Sequence, residues 1–124
     1  MSDSKKQCFP ISRAAISSNP VDKILFELHC KVGQLYKTGN NTFKILEKEW
    51  RQVEPEGYEV WLTWEAATEP GLGRKDVYLD PQMVPNVMIG DFIDQGGRRF
   101  CVSSIFWDLK PGNAAEVYLY VVGA

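Results

Sequence analysis

Slide this 124-residue chain along itself by fifty-seven positions and Val32–Trp64 lies over Ile89–Val121 without a gap. Seven of the thirty-three aligned positions are then identical: Gly33/Gly90, Gly39/Gly96, Phe43/Phe100, Trp50/Trp107, Glu59/Glu116, Val60/Val117 and Leu62/Leu119. Others keep their character, among them Val32/Ile89, Leu35/Phe92, Ile45/Val102 and Trp61/Tyr118. The matches fall on turn glycines, core apolars and a tryptophan, which are the residue types that fix folds. Any two β-meanders share turn glycines and alternating apolars, but the ungapped register and the tryptophan match favour a duplicated unit.

Each copy reads alike. An apolar residue and a glycine open it, and a short strand follows at Gln34–Lys37 and at Asp91–Asp94. Thr38-Gly39-Asn40-Asn41 and Gln95-Gly96-Gly97-Arg98 then supply the Gly and Asn that tolerate the positive φ of hairpin turns. A second strand is expected at Thr42–Arg51 and Arg99–Asp108, and a loop of turn formers leads to a third. In the first copy Tyr58, Val60, Leu62 and Trp64 alternate with Glu59, Trp61, Thr63 and Glu65, the period of a half-buried strand. In the second, Val117, Leu119 and Val121 alternate with Tyr118, Tyr120 and Val122, so both faces are apolar and the strand is central or meets another surface.

A three-stranded meander buries too little to stand alone. The expected fold is therefore all-β: two related three-stranded meanders completing one compact domain, a small barrel or sandwich that resembles SH3-like architecture. Residues 1–20, rich in Ser with Pro10 and Pro20, read as a flexible tail, although Cys8–Ile16 is also compatible with an edge strand. Residues 21–66 hold the first copy with a leading strand, 67–76 the connector with its Pro70-Gly71 pair, and 77–124 the second copy. Within 21–32, Asn19-Pro20 before Val21, Ile24, Leu25 and Leu28 is a fair helix start. Ile24, Phe26, Leu28, Cys30 and Val32 alternate strictly, however, so a strand is expected at Lys23–Val32.

The chemistry is bounded by what is scarce. His29 is the single histidine, and Cys30 beside it would point the other way on a strand, so no triad or Cys–His dyad assembles. Cys8, Cys30 and Cys101 lack the close spacing of a zinc site, so no metal and no cofactor are expected. Unpaired cysteines suit a reducing compartment, and Met1–Lys6 has no apolar run behind it to form a signal peptide, so a cytoplasmic protein is expected. No run approaches the ~18 apolar residues of a membrane helix. Gly71-x-Gly73 and Gly96-Gly97 open no helix and read as turn glycines. The carboxylates from Glu47 to Glu65 read as a solvated acidic face.

The aromatic residues are the informative ones. Trp61, Tyr118 and Tyr120 lie on the strand face opposite the core pattern, and Trp50 and Trp107 lie at strand ends. Trp and Tyr bury much area at low entropic cost and concentrate at binding hot spots. The leading expectation is a non-enzymatic interaction module that binds a partner protein, or itself, through Trp50, Trp61, Trp107, Tyr118 and Tyr120. The alternatives are a phage-like or particle-associated structural connector acting as an oligomer, and a small acidic inhibitor of a larger complex. Single-stranded nucleic-acid binding through Arg98 and Arg99 is a further alternative, opposed by the net charge of −2.

Overall fold

The structure, a computed structural model, describes residues 5–12, 15, 20–53, 57–69 and 74–123. It is mostly β. The strands are β1 (Lys5–Ser12), β2 (Leu35–Thr38), β3 (Asn41–Val53), β4 (Gly57–Ala67), β5 (Arg74–Leu79), β6 (Phe92–Gln95), β7 (Arg98–Leu109) and β8 (Ala115–Gly123). A helix α1 (Asp22–His29) and a 3-10 turn (Pro81–Asn86) complete it. The strands run β1-β4-β3-β2-β7-β8-β5 across one sheet, with β6 also on β7. The path is open: β1 and β5 end it. Every pairing is antiparallel except that of β2 with β7, where Leu35–Thr38 lies in parallel register with Phe106–Leu109.

The two meanders, β2-β3-β4 and β6-β7-β8, occupy ranges fifty-seven residues apart, and so do their irregularities. Gly39 and Gly96 turn the hairpins with φ of 61° and 59°. The β3–β4 register shifts between Ile45 and Glu47, and the β7–β8 register shifts between Val102 and Ser104. Such a bulge bends the strand and re-aims the side chains beyond it. Ahead of each bulge the same loop closes: Gly33 N–H donates to Ile45 O at 2.9 Å, and Gly90 N–H donates to Val102 O at 2.8 Å.

Two elements depart from the expectations. Within the segment expected as a strand, Asp22–His29 forms a helix. A strand would send Leu25 and Phe26 to opposite faces, whereas adjacent helical positions are both buried here. The helix start is tied to the loop between β7 and β8, where Lys23 N–H donates to Asn113 O at 3.0 Å and Asp22 Oδ2 accepts from Ala115 N–H at 3.3 Å. Packing across the chain thus overrides the local alternation. Residues 5–12, read as tail, form an edge strand paired along β4 from Lys5↔Trp64 to Ser12↔Gly57. Phe9 and Ile11 supply the inward-facing apolars that hold it, and Ile11 is buried. The rest of the expected tail (residues 1–4, 13, 14 and 16–19) and the connector's residues 70–73 lie outside the described residues. Among the described residues no helix is long and apolar enough to cross a membrane.

One continuous core joins the halves. Phe26 sits at its centre, with ring centroids 6.3 Å from Phe9, 5.2 Å from Tyr36 and 5.3 Å from Trp107. Ile45, Val60 and Leu62 come from the first meander, and Val102, Ile105, Val117, Leu119 and Val121 from the second. Trp107 is wholly buried, and its indole Nε1 donates to Gln34 Oε1 at 2.8 Å. The same oxygen accepts from Lys31 N–H at 3.1 Å. The aligned residue Trp50 is 45% exposed. Trp107→Phe therefore leaves a void and removes the Gln34 bond, lowering stability by about 2–4 kcal/mol. Trp50→Phe changes it by less than about 1 kcal/mol. Urea unfolding midpoints of the two variants check the contrast.

Candidate interaction surface

The five aromatics expected on one face are distributed over four settings. Trp107 is core, and as a surface contact it is corrected: parallel pairing with β2 covers it. Tyr120 is also buried, in a small outer cluster with Leu35 and Phe106, its ring 6.0 Å from Phe106. That cluster is the surface met by the second apolar face of β8. Trp61 and Tyr118 occupy aligned outer positions of the two halves and carry the same brace. Trp61 Nε1 donates to Glu59 Oε1 at 3.1 Å, and Tyr118 Oη donates to Glu116 Oε2 at 2.8 Å. Trp61 also lies under the guanidinium of Arg51, 4.8 Å from the ring centroid, and near Lys6 at 5.6 Å. These contacts hold the indole in place as part of a cation–π stack.

Trp50 is different. It faces the core side of the sheet, because the bulge in β3 places it opposite Val60, yet it stands past the end of the core. Its ring meets Tyr58 edge-on at 6.1 Å, and Lys48 Nζ lies 5.2 Å from its centroid. Trp50, Val32 and Pro85 line a cleft of 410 Å³ with Leu28, His29, Cys30, Lys31 and Lys48. Val32 also lines a smaller neighbouring hollow with Met88 and Ile89. Phe92, at the start of β6, follows Ile89 closely along the chain. Val32, Trp50, Met88, Ile89 and Phe92 are all exposed large apolar side chains, with Met88 at 61%. Val32, Trp50, Met88 and Ile89 line two hollows that share Lys31 and Val32, a seam where the two halves meet. Scattered apolar residues on a surface are ordinary, whereas a contiguous group marks an interaction site.

Sequence reasoning selected Trp50 and missed Val32, Met88 and Ile89. A signal was present at two of them. Val32 and Ile89 both immediately precede a turn glycine, where a chain in water ordinarily places a polar residue. Arg98 and Arg99 are exposed on β7, and Arg99 lies 4.0 Å from the centroid of the Phe92 ring.

The cleft's titratable groups are structural in character. Lys48 Nζ donates to Leu28 O at 3.0 Å and to Cys30 O at 2.7 Å, covering carbonyls left open at the end of α1. Burial lowers its pKa. Burial, then the charges of Lys48 and Lys31, also lowers that of His29. Burial pushes the Cys30 thiol up to about 11, which leaves it protonated and a poor nucleophile. Among the described residues no group of three or more His, Cys, Asp or Glu side chains is placed to hold a metal ion.

Glu27, on α1, is buried with Oε2 lacking a hydrogen-bond partner, and burial raises its pKa to about 7 against the opposing pull of Lys23. The folded chain thus keeps a proton that the unfolded chain releases near pH 4.5. Stability from this group is intact below that value and is lost as pH rises toward 7. Glu27→Gln removes the dependence. The variant should gain on the wild type by ~2 kcal/mol between about pH 5 and about pH 8, measured as the difference in urea unfolding free energy.

No family model, curated protein or solved structure matches this chain.

Proposed function

We propose that the chain is a non-enzymatic, cytoplasmic protein-interaction module that docks a partner protein on the seam around Trp50. The observation that carries this reading is the gathering of Val32, Trp50, Met88 and Ile89, all exposed, along one junction of the fold. A rigid indole beside flexible methionines is suited to anchoring and then adapting to a protein surface. The free thiols of Cys8, Cys30 and Cys101 support a reducing compartment. We read the two meanders as a duplicated unit, each an SH3-like half-barrel. Their shared offset in bounds, bulges and loop bonds supports that reading.

Trp61, braced by Arg51 and Glu59, belongs to a separate outer face and contributes less. A tagged pull-down from the source lysate, with and without nuclease, tests this assignment. The expected result is one enriched protein that survives nuclease, disappears with Trp50→Ala and persists with Trp61→Ala. Loss with Trp61→Ala alone would move the surface to the outer face. Collapse on nuclease treatment would instead favour nucleic acid on Arg98 and Arg99.

A particle-associated connector acting as an oligomer is the second reading. The strand edges left free at the seam favour it.

A further inference from the structure

The fold fills one strand edge and leaves its counterpart open. On β7, the edge of Phe106–Leu109 is covered in parallel by β2, in the register Leu35↔Phe106, Tyr36↔Trp107, Lys37↔Asp108 and Thr38↔Leu109. Moved back fifty-seven positions, the covered segment of β7 becomes Glu49–Gln52 of β3. On that side β2 pairs only with Asn41–Lys44, so Glu49–Gln52 has no strand beside it among the described residues. Moved forward by the same offset, the covering strand β2 becomes β6. That strand hydrogen-bonds to β7 along one edge and, among the described residues, has no strand on the other.

We propose that β6 of a second copy of this chain pairs in parallel with the free edge of β3, in the register Phe92↔Glu49, Ile93↔Trp50, Asp94↔Arg51 and Gln95↔Gln52. This rests on the seam reading above and names the seam's partner. The two central pairs of the register keep their character, whereas the outer pairs Phe92–Glu49 and Gln95–Gln52 do not. Tyr36 against Trp107 becomes Ile93 against Trp50, apolar on apolar in both. Lys37 against Asp108 becomes Asp94 against Arg51, so the charges exchange sides and remain opposite, with Asp94 sharing a guanidinium that already binds Glu49 at 2.6 Å. Opposite charges across strands favour a register, and like charges disfavour it. In this structure the chain's own β6 and β3 are not paired, and the matching strand is therefore assigned to a neighbour. Two copies related by a twofold axis fill both seams at once, which is the commonest closed arrangement of identical chains. Exposed strand edges of this kind otherwise invite unspecific pairing.

Charge exchange tests the pairing. Sedimentation velocity should show the wild type self-associating, with Asp94→Arg and Arg51→Asp each weakening association at least ~10-fold. An equimolar mixture of the two folded single variants should associate again, because each β6 then meets a β3 of opposite charge. The far-ultraviolet circular dichroism of each variant should match the wild type. A wild type that remains monomeric at roughly 1 mM would overturn the proposal. So would single variants that associate unchanged. Recovery in the double variant Arg51→Asp/Asp94→Arg, without recovery on mixing, would also overturn it and place the pairing within one chain. In each of these cases the seam as a docking surface for a different protein stands or falls separately, on the Trp50→Ala pull-down.

Discussion

A single buried oxygen holds the two halves in register. Gln34 Oε1 receives the indole N–H of Trp107 and the backbone N–H of Lys31, so one amide fixes both a turn of the first half and a strand of the second. Without it the indole N–H of Trp107 would be left unsatisfied in the core, a cost well above the net worth of an ordinary hydrogen bond. Parallel pairing of β2 with β7 runs alongside, and Phe26 fills the space beneath, against both Tyr36 and Trp107. Each of these contacts depends on the others. The helix finds its socket because Trp107 is turned inward, where it packs against Phe26 and donates to Gln34.

The two halves diverge at this point. Asp91 occupies the place of Gln34 and closes the same kind of turn, with Oδ2 accepting from Met88 N–H at 2.8 Å. Its side chain is one methylene shorter, and Trp50 has no strand lying over it. A proline-bearing 3-10 turn replaces the helix, since Pro85 cannot donate to a helical ladder. The same plan therefore yields a filled joint on one side and an open seam on the other. The apolar residues that would have been interior in a symmetric molecule are left facing outward.

Much of the sheet was legible in advance because its signals are local. Turn glycines at Gly39 and Gly96 and the alternation of Val60 and Leu62 depend on neighbours only a few residues away. The helix at Asp22–His29 was obscured because its alternating apolars suit a strand equally well, and the deciding contacts come from Asn113 and Ala115, far along the chain. The edge strand at Lys5–Ser12 was similarly hidden: a short segment with Pro10 becomes a strand only when β4 offers its edge. The aromatic face failed for another reason. Period-two patterning tells which side of a strand a residue takes. It does not tell what covers that side, and the coverings of Trp107, Tyr120 and Trp61 are three different things.

The parallel pairing of β2 also bears on the order in which the molecule can assemble. Leu35–Thr38 is laid against Phe106–Leu109, so the strand that completes the first half waits for nearly the whole chain. During synthesis the first meander can form its hairpin, but the socket for Phe26 does not exist until β7 emerges. Closing so long a loop is slow relative to local turns. The newborn first half must therefore keep Phe26 and Tyr36 from other chains until the last strands arrive. A fold whose keystone is made last gains its stability all at once, and only a full-length chain has it.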